Sequence, residues 1–169
     1  MALLPLNAVL YGISGIGGNL ASAIFLPETP EIGPMGAFFG ILSLLLYQVI
    51  SNWDLLHKPF FIFLKTSCCL PIIFVLGFFV PWINNFSNIF GFIFGSLTVP
   101  LMQPNNYKNK SFYISLTLLL LLSSSLFVFF YNSHLVEPYL DSFKYLNCLP
   151  LTEKWCSMDV GLKEIKVLN

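Results

Sequence analysis

The sequence predicts an all-α, polytopic membrane helix bundle, and three observations carry that prediction. Of the 169 residues, 56% are apolar, 17% aromatic and only 9% charged, against about 25% charged in soluble domains. The mean hydropathy is +0.78. Five apolar stretches are long enough, or nearly so, to cross a bilayer core, which takes ~20 residues as a helix. The formal net charge is zero and the chain has no arginine. There is thus no basic face for phosphate, which argues against a nucleic-acid partner.

The first stretch runs from about Leu6 to Leu26 and is rich in small residues, among them Ser14, Gly15, Gly17, Gly18 and Ser22. Small residues let helix backbones approach closely, so this span belongs inside the bundle. A loop with Glu28 and Glu31 leads to the second span, 33–50, which opens on Gly33-Pro34-Met35-Gly36 and offers a close-approach face at Gly36-x-x-x-Gly40. The linker 51–59 holds Trp53, Asp54, His57 and Lys58. The third span, 60–80, contains Cys68-Cys69 and Pro71, and Pro81-Trp82 marks a turn with an interfacial aromatic. The fourth span, 83–101, contains Gly91-x-x-x-Gly95, and a polar linker, 103–110, follows it. The fifth, 112–131, is nearly all Leu, Ser and Phe. Residues 1–131 form the membrane domain on this reading, and 132–169 a mixed, polar tail.

Orientation follows from lysine placement. Lys58, Lys65, Lys108 and Lys110 fall in or beside the second-to-third and fourth-to-fifth linkers, and the other two loops have none. The basic side is expected to be cytosolic. Met35 then sits at the non-cytosolic end of its helix, and the tail lies in an oxidising compartment, where Cys148 and Cys156 can pair in a small disulfide loop. The alternative for that pair is two free thiols in a flexible tail. No basic n-region precedes the first apolar span, so no signal peptide is expected. The abrupt start points to a piece of a longer protein.

Several ordered runs resemble the inactive rhomboid proteins, or iRhoms. Ser14-Gly15 followed by Gly18-Asn19-Leu20-Ala21-Ser22-Ala23-Ile24-Phe25-Leu26-Pro27 is one. Gly33-Pro34-Met35-Gly36 is similar to that family's Gly-Pro-Ala-Gly. The run from Pro81 to Phe92 resembles its Pro-Trp-Ile-Asp-Asn-Phe-Ala-His-Ile-Ser-Gly-Phe, and Cys148 to Cys156 its Cys-Ile-Pro-Phe-Thr-Asp-Lys-Phe-Cys. The likeness covers about 9–158. It implies a partial rhomboid-like fold comprising the last five of seven spans.

An active rhomboid uses a serine on one span and a histidine on another as a dyad. By the resemblance, Met35 stands at the serine place and Asn88 at the histidine place. A thioether has no proton to lose and cannot become an alkoxide-like nucleophile. A neutral amide cannot act as a general base. The iRhoms keep this histidine, so Asn88 departs even from their pattern. Pro34 also removes a backbone N–H that could serve an oxyanion hole. No histidine lies within any span, and isolated serines such as Ser14, Ser22, Ser43 and Ser87 usually bond back to helix backbone or a neighbouring helix. Adjacent Cys68 and Cys69 read as inert packing, and no metal site or cofactor is expected.

Asn19, Asn84, Asn85 and Asn88 are the polar points near the non-cytosolic side. They read either as helix-to-helix contacts or as a water-accessible relic of an active site able to touch a client helix. Candidate client contacts are Gly33, Pro34, Gly36, Asn19, Asn85 and Gly91. Asn85-Phe86-Ser87 is a glycosylation triplet, placed too close to the bilayer for ready use. The resemblance implies a catalytically inactive pseudoprotease that binds single-span membrane clients, namely epidermal-growth-factor-like ligands and the membrane metalloprotease that releases tumour necrosis factor. It would regulate their trafficking, retention or degradation from the endoplasmic reticulum, with onward travel to the Golgi and plasma membrane. The opposing readings are a rhomboid-type intramembrane serine protease, and a carrier or channel subunit. The first conflicts with Met35 and Asn88, and the second with spans almost free of charge.

Overall fold

A computed structural model describes residues 3–27, 34–79, 83–103 and 110–140. Five helices account for nearly all of them: α1 (Leu3–Phe25), α2 (Met35–Ser51), α3 (Pro59–Phe79), α4 (Asn85–Met102) and α5 (Lys110–Tyr131). Four are long and apolar enough to cross a membrane, and α2 is a shorter apolar helix of 17 residues. Each falls on an expected span, with ends shifted by a few residues for local reasons. Pro34 caps α2 from outside, its carbonyl accepting from the Phe38 N–H at 2.9 Å. Pro59 opens α3, where its missing N–H costs nothing. Asn84 caps α4, so that helix starts at Asn85 rather than at Ile83.

Small residues set the packing. A side chain on Gly91 would fall on the backbone of Gly36, and one on Gly95 would lie 2.6 Å from the Gly40 α-carbon. The Gly36-x-x-x-Gly40 face of α2 therefore meets the Gly91-x-x-x-Gly95 face of α4, and residue numbers rise together, so the two helices run parallel. Helix α1 runs antiparallel to both. Gly18 meets Gly36, Ser14 meets Gly40, and Gly18 also lies on the Ser87 carbonyl. At these crossings the glycine Cα–H groups point at oxygens: Gly91 at the Gly36 carbonyl, Gly18 at that of Ser87, Gly40 at the Ser14 hydroxyl. Lipid tails are as apolar as leucine, so the seam depends on close packing and such weak hydrogen bonds rather than on escape from water.

Helix α5 closes one side of this three-helix centre. Leu126 is buried against Ala21, Ile24 and Phe94. Val136, in the short turns that follow α5, joins the same cluster, so the bundle continues into the tail as far as Leu140. Phe25 stacks on Phe86 at 5.0 Å and on Phe90 at 5.7 Å between ring centroids, which fixes the end of α1 on α4. Helix α3 is peripheral. Gly77 is its one buried residue, and its surroundings include the Asn85 carboxamide.

Candidate functional site

The site is built at the start of α4, where α1, α2 and α4 converge. Asn84 precedes the helix in an extended conformation, and its Oδ1 accepts from the N–H groups of Phe86 (2.9 Å) and Ser87 (3.4 Å). This satisfies two of the orphan donors that open any helix. The same side chain donates from Nδ2 to the Ser22 hydroxyl of α1 at 2.5 Å. One residue thus both starts α4 and ties it to α1.

Asn88 follows one turn later, on the Gly91 side, and is fully buried. Neither its Oδ1 nor its Nδ2 makes a hydrogen bond, and the buried Ser87 hydroxyl makes none either. Ser87 instead occupies the junction of Gly18 and Gly36. Its Oγ would lie 2.8 Å from a side chain on Gly36 and 3.0 Å from one on Gly18. Met35 is the first residue of α2 and is half-buried beside this junction in the chain. A thioether, an amide and a serine hydroxyl share this end of the bundle, and none of them ionises in the useful range. Both described histidines lie outside the five helices and are exposed, His57 between α2 and α3 and His134 in the turn after α5. Among the described residues the arrangement can pack and hydrogen-bond, and it holds no base for a hydroxyl.

The structure brings Gly18, Gly36, Gly91 and Ser87 together and buries Asn85 and Asn88 completely. It separates Asn19, which is exposed on α1 although its neighbour Gly18 is buried. Pro34 is exposed at the mouth of α2. Gly33, Cys148 and Cys156 lie outside the described residues. Serine behaviour divides as well. Ser14 donates to the Leu10 carbonyl at 2.7 Å and Ser43 to that of Gly40 at 2.6 Å, both back to their own helix. Ser22 accepts from another segment instead. The structural importance of Asn84 was legible in principle: an asparagine just ahead of an apolar helical run is a capping signal.

Comparison with known proteins agrees with this architecture. Residues 7–105 match the rhomboid domain. The chain is 34% identical over 157 residues to inactive rhomboid protein 2 of Homo sapiens, 38% over 158 to inactive rhomboid protein 1 of Danio rerio and 36% over 158 to inactive rhomboid protein 1 of Homo sapiens. Each match takes in 88% of this chain and 18% of the relative. The chain therefore spans about a fifth of the length of these curated relatives. It is a multi-pass membrane protein of the rhomboid family, similar over most of its length to inactive rhomboid proteins.

Proposed function

We propose that this chain is the membrane portion of a pseudoprotease that binds single-span membrane proteins and regulates their trafficking, retention or degradation. The clients are epidermal-growth-factor-like ligands and a membrane metalloprotease. The carrying observation is the complete burial of Asn88, with neither polar atom hydrogen-bonded, at the place where the family resemblance puts a catalytic histidine. Met35 at the serine place supplies no nucleophile, and Asn88 supplies no base. What remains is a closely packed three-helix centre, which suits a scaffold.

Clients reach such a scaffold through its lipid-facing surface. Of the expected contacts, Pro34 and Asn19 are exposed, whereas Gly36, Asn85 and Gly91 are enclosed by neighbouring helices. Asn19 is a polar group on a membrane helix with room for a partner, and a client helix offers one. Residence in the endoplasmic reticulum is part of this reading, and the lysine distribution agrees with a luminal Met35 end and tail.

The test is site-specific photo-crosslinking in reconstituted membranes. A photoreactive residue placed at Asn19 should give an adduct with the transmembrane segment of an epidermal-growth-factor-like ligand. The same group at Ile114, exposed on α5, should give none. Equal adducts at both positions, or none at either, would overturn the reading.

A further inference from the structure

The bundle is tight at the Met35 end and open at the other. Helix α3 meets Asn85 through Gly77 near its C-terminal end. Near its start, α3 residues Ile62 and Thr66 face a cleft of about 560 Å³ shared with α2, α4 and the start of α1. Its floor is apolar, with Val49 and Val99 buried and Met102 beside them. Its rim carries the amides of Gln48, Asn52 and Gln103, and the Tyr47 hydroxyl donates to Gln103 Oε1 at 3.3 Å. None of the residues lining the cleft is charged.

Charge stands just outside. Lys58 lies in the chain between the lining residues Leu56 and Ile62, and Lys65 immediately precedes Thr66. Both lysines are exposed. Asp54 is the one acid among described residues 51–66. Trp53, exposed and packed edge-on to Phe63 at 6.1 Å, marks the level as interfacial. The cleft thus offers an apolar floor and uncharged hydrogen-bonding groups at its rim, and Lys58 and Lys65 are near neighbours in the chain of residues that line it. A phospholipid presents matching groups: acyl chain, ester and glycerol oxygens, and phosphate. Lysines beside a membrane surface favour anionic lipid by about fivefold each, the equivalent of ~1 kcal/mol.

We propose that this cleft is a binding site for one anionic phospholipid, with an acyl chain between α2, α3 and α4 and its headgroup on Lys58 and Lys65. The lipid fills the opening that α3 leaves at this end. The site is independent of the client reading, since it lies at the opposite end of the bundle from Met35.

The full chain is reconstituted in nanodiscs of phosphatidylcholine and phosphatidylserine at a four-to-one ratio, and retained lipid is read by native mass spectrometry. Phosphatidylserine should be retained over phosphatidylcholine well beyond its share of the bilayer. The double variant K58Q/K65Q, altered at two exposed positions, should cut that preference by roughly 25-fold. Leu45→Trp, at an exposed residue that lines the cleft, should remove the retained lipid while preserving the melting temperature. Ile62→Trp, from the facing helix, repeats the test should Leu45→Trp unfold. Retention in proportion to bilayer composition would overturn the proposal. So would a preference that survives K58Q/K65Q, or retained lipid unchanged in a folded cleft-filled variant.

Discussion

The α-carbon of Gly91 rests on the peptide backbone of Gly36, and nothing larger than hydrogen fits between them. A side chain at Gly91 would come within 2.6 Å of both the Gly36 α-carbon and its carbonyl carbon. Backbone cannot swing aside as a side-chain tip can, so the contact fixes how closely α2 and α4 approach.

Gly91→Ala should therefore destabilise the bundle by at least the ~1–3 kcal/mol typical of overpacking. Gly36→Ala should cost less, because its nearest obstacle is the Ser87 hydroxyl at 2.8 Å, which can rotate. Gly12→Ala, with nothing within 4 Å of the added carbon, serves as the neutral control. Denaturant titration of the three variants in detergent checks the order.

Asn84 has two jobs, and substitution can separate them. Asn84→Ala removes the helix cap and the link to Ser22, with an expected loss of about 1–2 kcal/mol from the cap alone. Asn84→Asp keeps the capping oxygen and loses the donor to Ser22, so its melting temperature should fall between those of Asn84→Ala and the parent.

Asn88 should behave in the opposite sense. Its carboxamide is fully buried with neither polar atom hydrogen-bonded, and an unsatisfied buried group costs roughly 1–3 kcal/mol. Asn88→Leu, with the same number and branching of side-chain heavy atoms, is expected to leave the melting temperature unchanged or raise it. A marked fall would show that the carboxamide is doing structural work.

The triplet Asn85-Phe86-Ser87 should carry no glycan. Asn85 is fully buried, and an oligosaccharide on it would have to displace α3 at Gly77. Peptide mapping of the membrane-expressed chain by mass spectrometry should return Asn85 unmodified.

The helices were legible because bilayer thickness imposes a run of apolar residues that any reader can find. The glycine pairs at 36 and 40 and at 91 and 95 were legible as close-approach faces too. That the two faces meet each other, parallel and in register, was not, since spacing along one helix says nothing of its partner. Asn19 shows the same limit. It is adjacent to buried Gly18, yet a rotation of about 100° per residue carries it to the outside. Asn84 and Asn85 look alike in sequence, but only Asn84 has the extended backbone that lets its side chain turn back onto the helix start. The cleft lined by Val49, Ile62 and Val99 joins residues from three helices, and no local pattern announces such a meeting.

Fluorophosphonate labelling tests whether this rhomboid scaffold is without catalysis. The intact protein is reconstituted with a cleavable single-span substrate and exposed to a serine-reactive fluorophosphonate probe. No specific labelling and an uncleaved substrate are expected. Labelling that maps to a serine of this chain, or cleavage lost when that serine is replaced by alanine, would contradict the absence of catalysis.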